Sequence, residues 1–173
     1  MSRAFVKEPE SGAPGEPLPA RRISEHPNFV TPRGLEQLRR RQAELTGRRA
    51  ELLTAAATDE AAADDLRYVD RDLAYFTARV ASAMVVDPAQ QPPDEVAVGA
   101  SVTVREAAQG NSPASARTFT IVGEDEADAD AGLVSYVSPP AQALAGAHIG
   151  QTVIWKRPVG DLTLTVEQIH YDG

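Results

Sequence analysis

The sequence predicts an α+β chain: an N-terminal antiparallel α-helical coiled-coil hairpin, then a C-terminal antiparallel β domain with one short helix. Three observations predict it. Two apolar stripes at heptad spacing follow one another before residue 87. From Pro88 onward the heptads give way to short runs of β-type residues. The charge divides at the same place: residues 1–87 hold 13 Lys+Arg against 14 Asp+Glu, whereas residues 88–173 hold 4 against 11. Two units with different surfaces follow.

Residues 1–29 read as a disordered leader, because Gly12, Pro14, Gly15, Pro17, Pro19 and Pro27 interrupt regular structure and apolar residues are few. Thr31 then offers an N-cap, with Pro32 at the first helical position. The helix runs to about Ala57. Leu35, Leu38, Leu45 and Leu52 take a and d positions, while Gln42 and Arg49 fill the other a positions. So leaky a stripe needs a partner helix. Leu66, Val69, Leu73, Phe76, Val80 and Ala83 supply it, alternating spacings of three and four. The short segment between the stripes makes the two helices antiparallel. The hairpin spans residues 30–87, with its tip near 58–65. Each arm of about 25 residues is roughly 37 Å long.

Pro88, Pro92 and Pro93 mark a linker over residues 88–98. The C-terminal domain, residues 99–173, follows with strands expected at 101–105, 118–122, 133–137, Thr152–Trp155 and 162–169. In the last, Leu162, Leu164, Val166 and Gln168 share one face and Thr163, Thr165, Glu167 and Ile169 the other. Gly110 and Asn111 favour a turn between the first two strands. Pro139 to Gly146 reads as a short helix ended by glycine. Tyr136 and Trp155 alternate into strands as core residues.

Composition narrows the function. The 173 residues fit one medium domain or two small ones. The absence of cysteine removes disulfides, thiolate catalysis and cysteine-based zinc sites. His26, His148 and His170 are too scattered for a metal cluster, and His148 and His170 have no acidic or serine partner at a spacing that suggests a nucleophilic triad. No apolar run approaches the ~18 residues of a membrane span, and residues 1–20 show no secretory signal, so a cytoplasmic protein is expected. The acidic run Glu124, Asp125, Glu126, Asp128 and Asp130 lacks the glycine and the distal glutamate of a calcium loop, and reads as a solvated turn. The net charge of −8 argues against direct nucleic-acid binding, but it belongs almost wholly to the C-terminal half.

Four segments, in order, resemble the GreA/GreB family of bacterial transcription elongation factors. Val30-Thr31-Pro32-Arg33-Gly34-Leu35 is similar to the start of the family's first coiled-coil helix. Leu66-Arg67-Tyr68-Val69-Asp70-Arg71, continuing through Tyr75 to Val85-Val86-Asp87, is similar to the return helix of the GreB branch. Val122-Gly123-Glu124-Asp125-Glu126-Ala127-Asp128 resembles the C-domain signature. Ser138-Pro139, followed by Ala143-Leu144 and Gly146, resembles the docking loop.

The resemblance implies an FKBP-like C-terminal domain and RNA polymerase as partner, with docking at the rim of the secondary channel. Asp125, Glu126, Ser138, Pro139, Ala143 and Leu144 are the implied polymerase-binding residues. It further implies that the coiled coil enters the channel, where tip carboxylates help hold a shared Mg²⁺ that activates water to cleave backtracked RNA. Here the chain departs from the pattern. Cleavage factors carry a Gly-Asp-x-x-Glu-Asn-type tip. Asp59 matches its aspartate, but three residues on stands Ala62, and each arm is about one heptad, or roughly 10 Å, shorter. The remaining candidate tip acids are Asp59, Glu60, Asp64 and Asp65. Where GreB-type proteins carry an acid before Ser138, this chain has Val137.

Arg39, Arg40, Arg41 and Arg48 lie off the heptad seam and are candidates to meet nascent RNA or channel phosphates. Glu36 and Glu44 stand four residues before Arg40 and Arg48, which favours a solvated paired face. The expectation is a monomeric regulator of elongation that meets DNA only indirectly. It is not an enzyme and has no cofactor of its own. One alternative is a true Gre-type factor holding Mg²⁺ through Asp59 and a second tip acid. Another, from a different class, is an FKBP-type prolyl isomerase.

Overall fold

A computed structural model describes residues 18–172. The chain divides into two compact units. One comprises the described residues up to Ile23 together with Arg41–Ala78; the other comprises Ser24–Arg40 and the residues from Arg79 onward. Twelve elements make up the described chain. None of the described helices is long and apolar enough to cross a membrane.

Two antiparallel helices, α1 (Pro32–Ala55) and α2 (Glu60–Ala81), contribute residues 41–55 and 60–78 to the first unit. Leu45 and Leu52 are buried, and Leu66, Val69, Leu73 and Phe76 are half-buried, so both heptad stripes face inward. Polar pairs across the seam fix the antiparallel register. Gln42 Nε2 donates to Thr77 Oγ1 at 3.1 Å, and one heptad further on Arg49 Nε donates to Asp70 Oδ1 at 2.6 Å. These pairs account for the two polar a positions.

The tip is shorter than the stripes suggest. The turn occupies residues 56–58, and Glu60 already opens α2. The expected tip of 58–65 is therefore corrected: Asp64 and Asp65 lie on a helix. Asp59 Oδ1 accepts from Ala61 N at 3.0 Å and caps α2, while Glu60 complements its positive end. Ala62 is buried and extends the second stripe one step towards the tip. Its small side chain gives no apolar signal in the sequence.

The second unit holds two sheets. β1 (Phe29–Val30) pairs in parallel with β2 (Met84–Val85). The expected leader is corrected here. Residues 1–17 lie outside the described residues, but Asn28 and Val30 are buried, and Phe29 enters a sheet. The larger sheet comprises β3 (Ala100–Glu106), β4 (Ser115–Val122), β5 (Leu133–Ser135), β6 (Thr152–Trp155) and β7 (Leu162–Tyr171), in the order β5-β4-β3-β7-β6. It is mixed rather than purely antiparallel, because β5 returns parallel to β4 after a crossover through a 3₁₀ turn, Glu124–Glu126. The helix α3 (Pro139–Leu144) packs its Ala141 and Leu144 into the core with Val102, Val104, Phe119, Ile121, Leu164 and Val166. The ring of Trp155 meets Phe119 edge-on at 6.2 Å.

Two details of this unit depart from simple alternation. β7 carries a bulge: Thr103 pairs with Gln168 but Val104 with Val166, leaving Glu167 as the extra residue. The bulge reverses the faces beyond it, so Ile169, not Gln168, packs on the core. Residues 88–98 are not a free linker. Asp87 caps a 3₁₀ turn at Pro88–Gln90, and Val96 is buried in the core. The Tyr171 hydroxyl donates to Glu95 O at 2.6 Å and accepts from Ala97 N at 3.0 Å, pinning the segment to β7.

Candidate functional site

The first turn of α1 begins with Thr31 at the N-cap, where its Oγ1 accepts from Gly34 N at 3.0 Å. The crossover turn after β4 brings Glu126 to the same place. Its Oε2 accepts from Thr31 N at 3.0 Å and Gly123 N at 3.1 Å, and its Oε1 accepts from the Thr31 hydroxyl. Glu126 is 8% exposed. A buried carboxylate with three donors at a helix N-terminus is stabilised by both the hydrogen bonds and the helix dipole. The acidic run is therefore not a solvated turn throughout: its third member is an internal latch.

The neighbouring acids hold a second buried group. Arg79, near the end of α2, has a side chain only 2% exposed. Its Nε donates to Asp125 Oδ2 at 2.6 Å, and its Nη2 is 3.7 Å from Glu124 Oε2. Asn28 Nδ2 donates to Arg79 O at 2.7 Å and Ser82 Oγ at 3.1 Å. Tyr136, which follows β5, donates its hydroxyl to Pro27 O and meets the Phe29 ring edge-on at 5.4 Å. Burial raises the Tyr136 pKa above its usual 10.0, the nearby Glu124 carboxylate adds to the rise, and Arg79 opposes it. Sequence reasoning missed Arg79 because it lies just off the heptad seam. The signal available was the uncompensated run Glu124-Asp125-Glu126 in a half with only 4 basic residues.

The expected docking residues separate into two groups. Glu126 and Leu144 are inside, Leu144 fully so, and Asp125 is tied to Arg79. Glu126 and Leu144 are thus interior side chains and Asp125 is half-buried, so within the described chain all three serve to hold the loop in shape. Ser138 takes the N-cap position of α3, Pro139 is exposed beside it, and Ala143 is half-buried. These three remain at or near the surface.

In the helical unit three of the four tip acids are engaged locally, and Glu60 is exposed at the start of α2. Asp59 caps α2, Asp64 pairs with Arg67 at 3.2 Å, and Asp65 lies 3.7 Å from Arg48. Arg41 pairs with Glu44 at 3.1 Å and Arg48 with Glu51 at 3.2 Å, so the basic face is paired at three-residue spacing rather than the four expected from Glu44. Arg39 and Arg40 are exposed on α1. The tip departs from the donor pattern that the resemblance calls for. Where the resemblance calls for a second carboxylate stands the buried methyl of Ala62, and among the described residues no three His, Cys, Asp or Glu side chains converge to hold a metal ion.

The family model described as "Transcription elongation factor, GreA/GreB, C-term" matches residues 90–171. Transcription elongation factor GreA of Pelobacter propionicus is 32% identical over 120 residues, covering 69% of this chain and 73% of that protein. The chain belongs to the GreA/GreB family. GreA of an Anaeromyxobacter species is likewise 32% identical, over 119 residues, with 69% of each chain covered. GreA of a Nitratiruptor species is 31% identical over 64% of this chain, which spans 66% of that relative's length. Among solved structures, the GreA/GreB factor of Nitrosomonas europaea matches with a TM-score of 0.39 at 24% identity, covering 83% of this chain and 98% of that one. The Gfh1 protein of Thermus thermophilus matches at 0.38 and 20%, covering 84% and 99%.

Proposed function

We propose that this GreA/GreB-family chain is a transcription elongation regulator that docks on RNA polymerase at the secondary channel and acts without strong stimulation of transcript cleavage. The chain itself performs no reaction in this reading. The observation that carries it is the state of the hairpin tip. Asp59 is used as a helix cap, Asp64 and Asp65 pair with arginines, and Ala62 is turned into the seam. A tip built this way fills space and carries negative charge, and it has alanine instead of a carboxylate three residues after Asp59, where a metal that demands oxygen ligands in strict geometry would need one. The exposed Pro139 and the neighbouring Ser138 and Ala143 support docking through the α3 N-terminal loop.

Binding of the full chain to the host polymerase tests the docking. Association at micromolar concentration is expected, together with weakening by Pro139→Asp. Absence of binding at that concentration would remove the proposal.

A further inference from the structure

Within the helical unit, the described residues before Ser24 place an arginine against one face of α2. The Arg21 guanidinium carbon lies 3.9 Å from the centroid of the Tyr75 ring and 5.4 Å from that of Phe76. Its Nη1 is 3.5 Å from Asp72 Oδ1. Asp72, Tyr75 and Phe76 stand at three- and four-residue spacing, so one helix face presents all three. The two rings are perpendicular at 5.2 Å, forming a floor and a wall. Asp72 is only 25% exposed and is also held by Arg71 at 3.3 Å. A planar, weakly hydrated guanidinium suits such a cradle better than an ammonium does, because it stacks and hydrogen-bonds at once.

We propose that Asp72, Tyr75 and Phe76 form a guanidinium-binding cradle whose resident ligand is Arg21. Residues 18–23 are then an arm strapped to the hairpin rather than a loose tether. The arm supplies packing that a two-helix hairpin of this length lacks. The chemical class the cradle takes is an arginine side chain on a proline-bearing segment without regular secondary structure, here Pro19-Ala20-Arg21. Arg22, next in sequence, is the internal reference: it is exposed and has the same charge.

The test is nuclear magnetic resonance of the full chain. Side-chain protons stacked on a tyrosine face move upfield through the ring current. Arg21 δ-methylene and Hε resonances are expected upfield of those of Arg22, and the difference is expected to collapse in Tyr75→Leu. Asp72→Asn keeps the shape of α2 and serves if Tyr75→Leu fails to fold; there the Arg21 Hε signal should return towards that of Arg22. Amide exchange of residues 20–23 should quicken in Arg21→Ala, with incomplete rescue by Arg21→Lys and no effect of Arg22→Ala. Arg21 and Arg22 resonances that coincide in the unaltered chain, or an Arg21 shift that survives both substitutions, would overturn the proposal.

Discussion

A Cβ added to Gly34 would lie 2.0 Å from the carboxyl carbon of Glu126. The carboxylate thus fills the space that a side chain on the first turn of α1 would need. Gly123 is equally constrained from the other side: a Cβ there would come within 2.5 Å of Phe29 O. Two glycines and one buried acid from two separate segments form a single interlocked unit, and the Val30–Leu35 and Val122–Asp128 signatures are the sequence trace of it.

Gly34→Ala should therefore destabilise the chain by about 1–3 kcal/mol, as overpacking does. The displaced atoms belong to a flexible side chain, but moving them breaks the bonds from Thr31 and Gly123. Glu126→Ala should cost a similar ~1–3 kcal/mol, because the Thr31 and Gly123 donors lose their acceptor. The double substitution should cost less than the sum, since removing Glu126 clears the space for the new methyl. Denaturant unfolding of the three variants measures the coupling, and strict additivity would contradict the interlock.

Arg79→Ala should be more damaging, by about 3–5 kcal/mol, since it leaves Asp125 and Glu124 as partly buried acids without their cation. Arg79→Lys should recover only part of that loss, because an ammonium does not reproduce the planar fork. Thermal unfolding of both variants checks the order.

Stability at alkaline pH should depend on Tyr136. Its neutral phenol donates to Pro27 O, and its folded-state pKa lies above the ordinary 10.0 through burial and the Glu124 charge. A raised pKa means that the contribution is complete below the unfolded value and is lost as pH rises through the folded one. Tyr136→Phe should lower stability at neutral pH and flatten the decline above about pH 10. A decline equally steep in the variant would place its cause elsewhere.

Asp59→Ala should loosen the start of α2 and cost about 1 kcal/mol, whereas Asp59→Asn should be nearly neutral because asparagine caps as well as aspartate. Helicity by circular dichroism and the unfolding midpoint distinguish the two.

The sequence showed the parts that depend on periodicity. Leu38, Leu45 and Leu52 announce one helix, and the unbroken run from Leu66 to Val80 announces its partner. The tip was misjudged because Ala62 buries too little side chain to register as an apolar position. The face reversal in β7 was invisible because a bulge is set by cross-strand register, which no single strand displays. The docking acids were legible as a motif, but not their direction. Whether Glu126 faces solvent or the α1 N-terminus depends on the crossover that carries it there, and Arg79 lies 47 residues earlier in the sequence than Glu126. The arm was hidden for a similar reason: proline spacing shows what a segment cannot form, not what Arg21 stacks on.

The most direct test of the central claim is transcript cleavage in backtracked polymerase complexes saturated with this chain. The account predicts that binding is retained and that the cleavage rate stays close to that of polymerase alone, with Asp59→Asn indistinguishable from the unaltered chain. Strong stimulation of cleavage that is abolished by Asp59→Asn, in a variant of unchanged stability and unchanged binding, would contradict it.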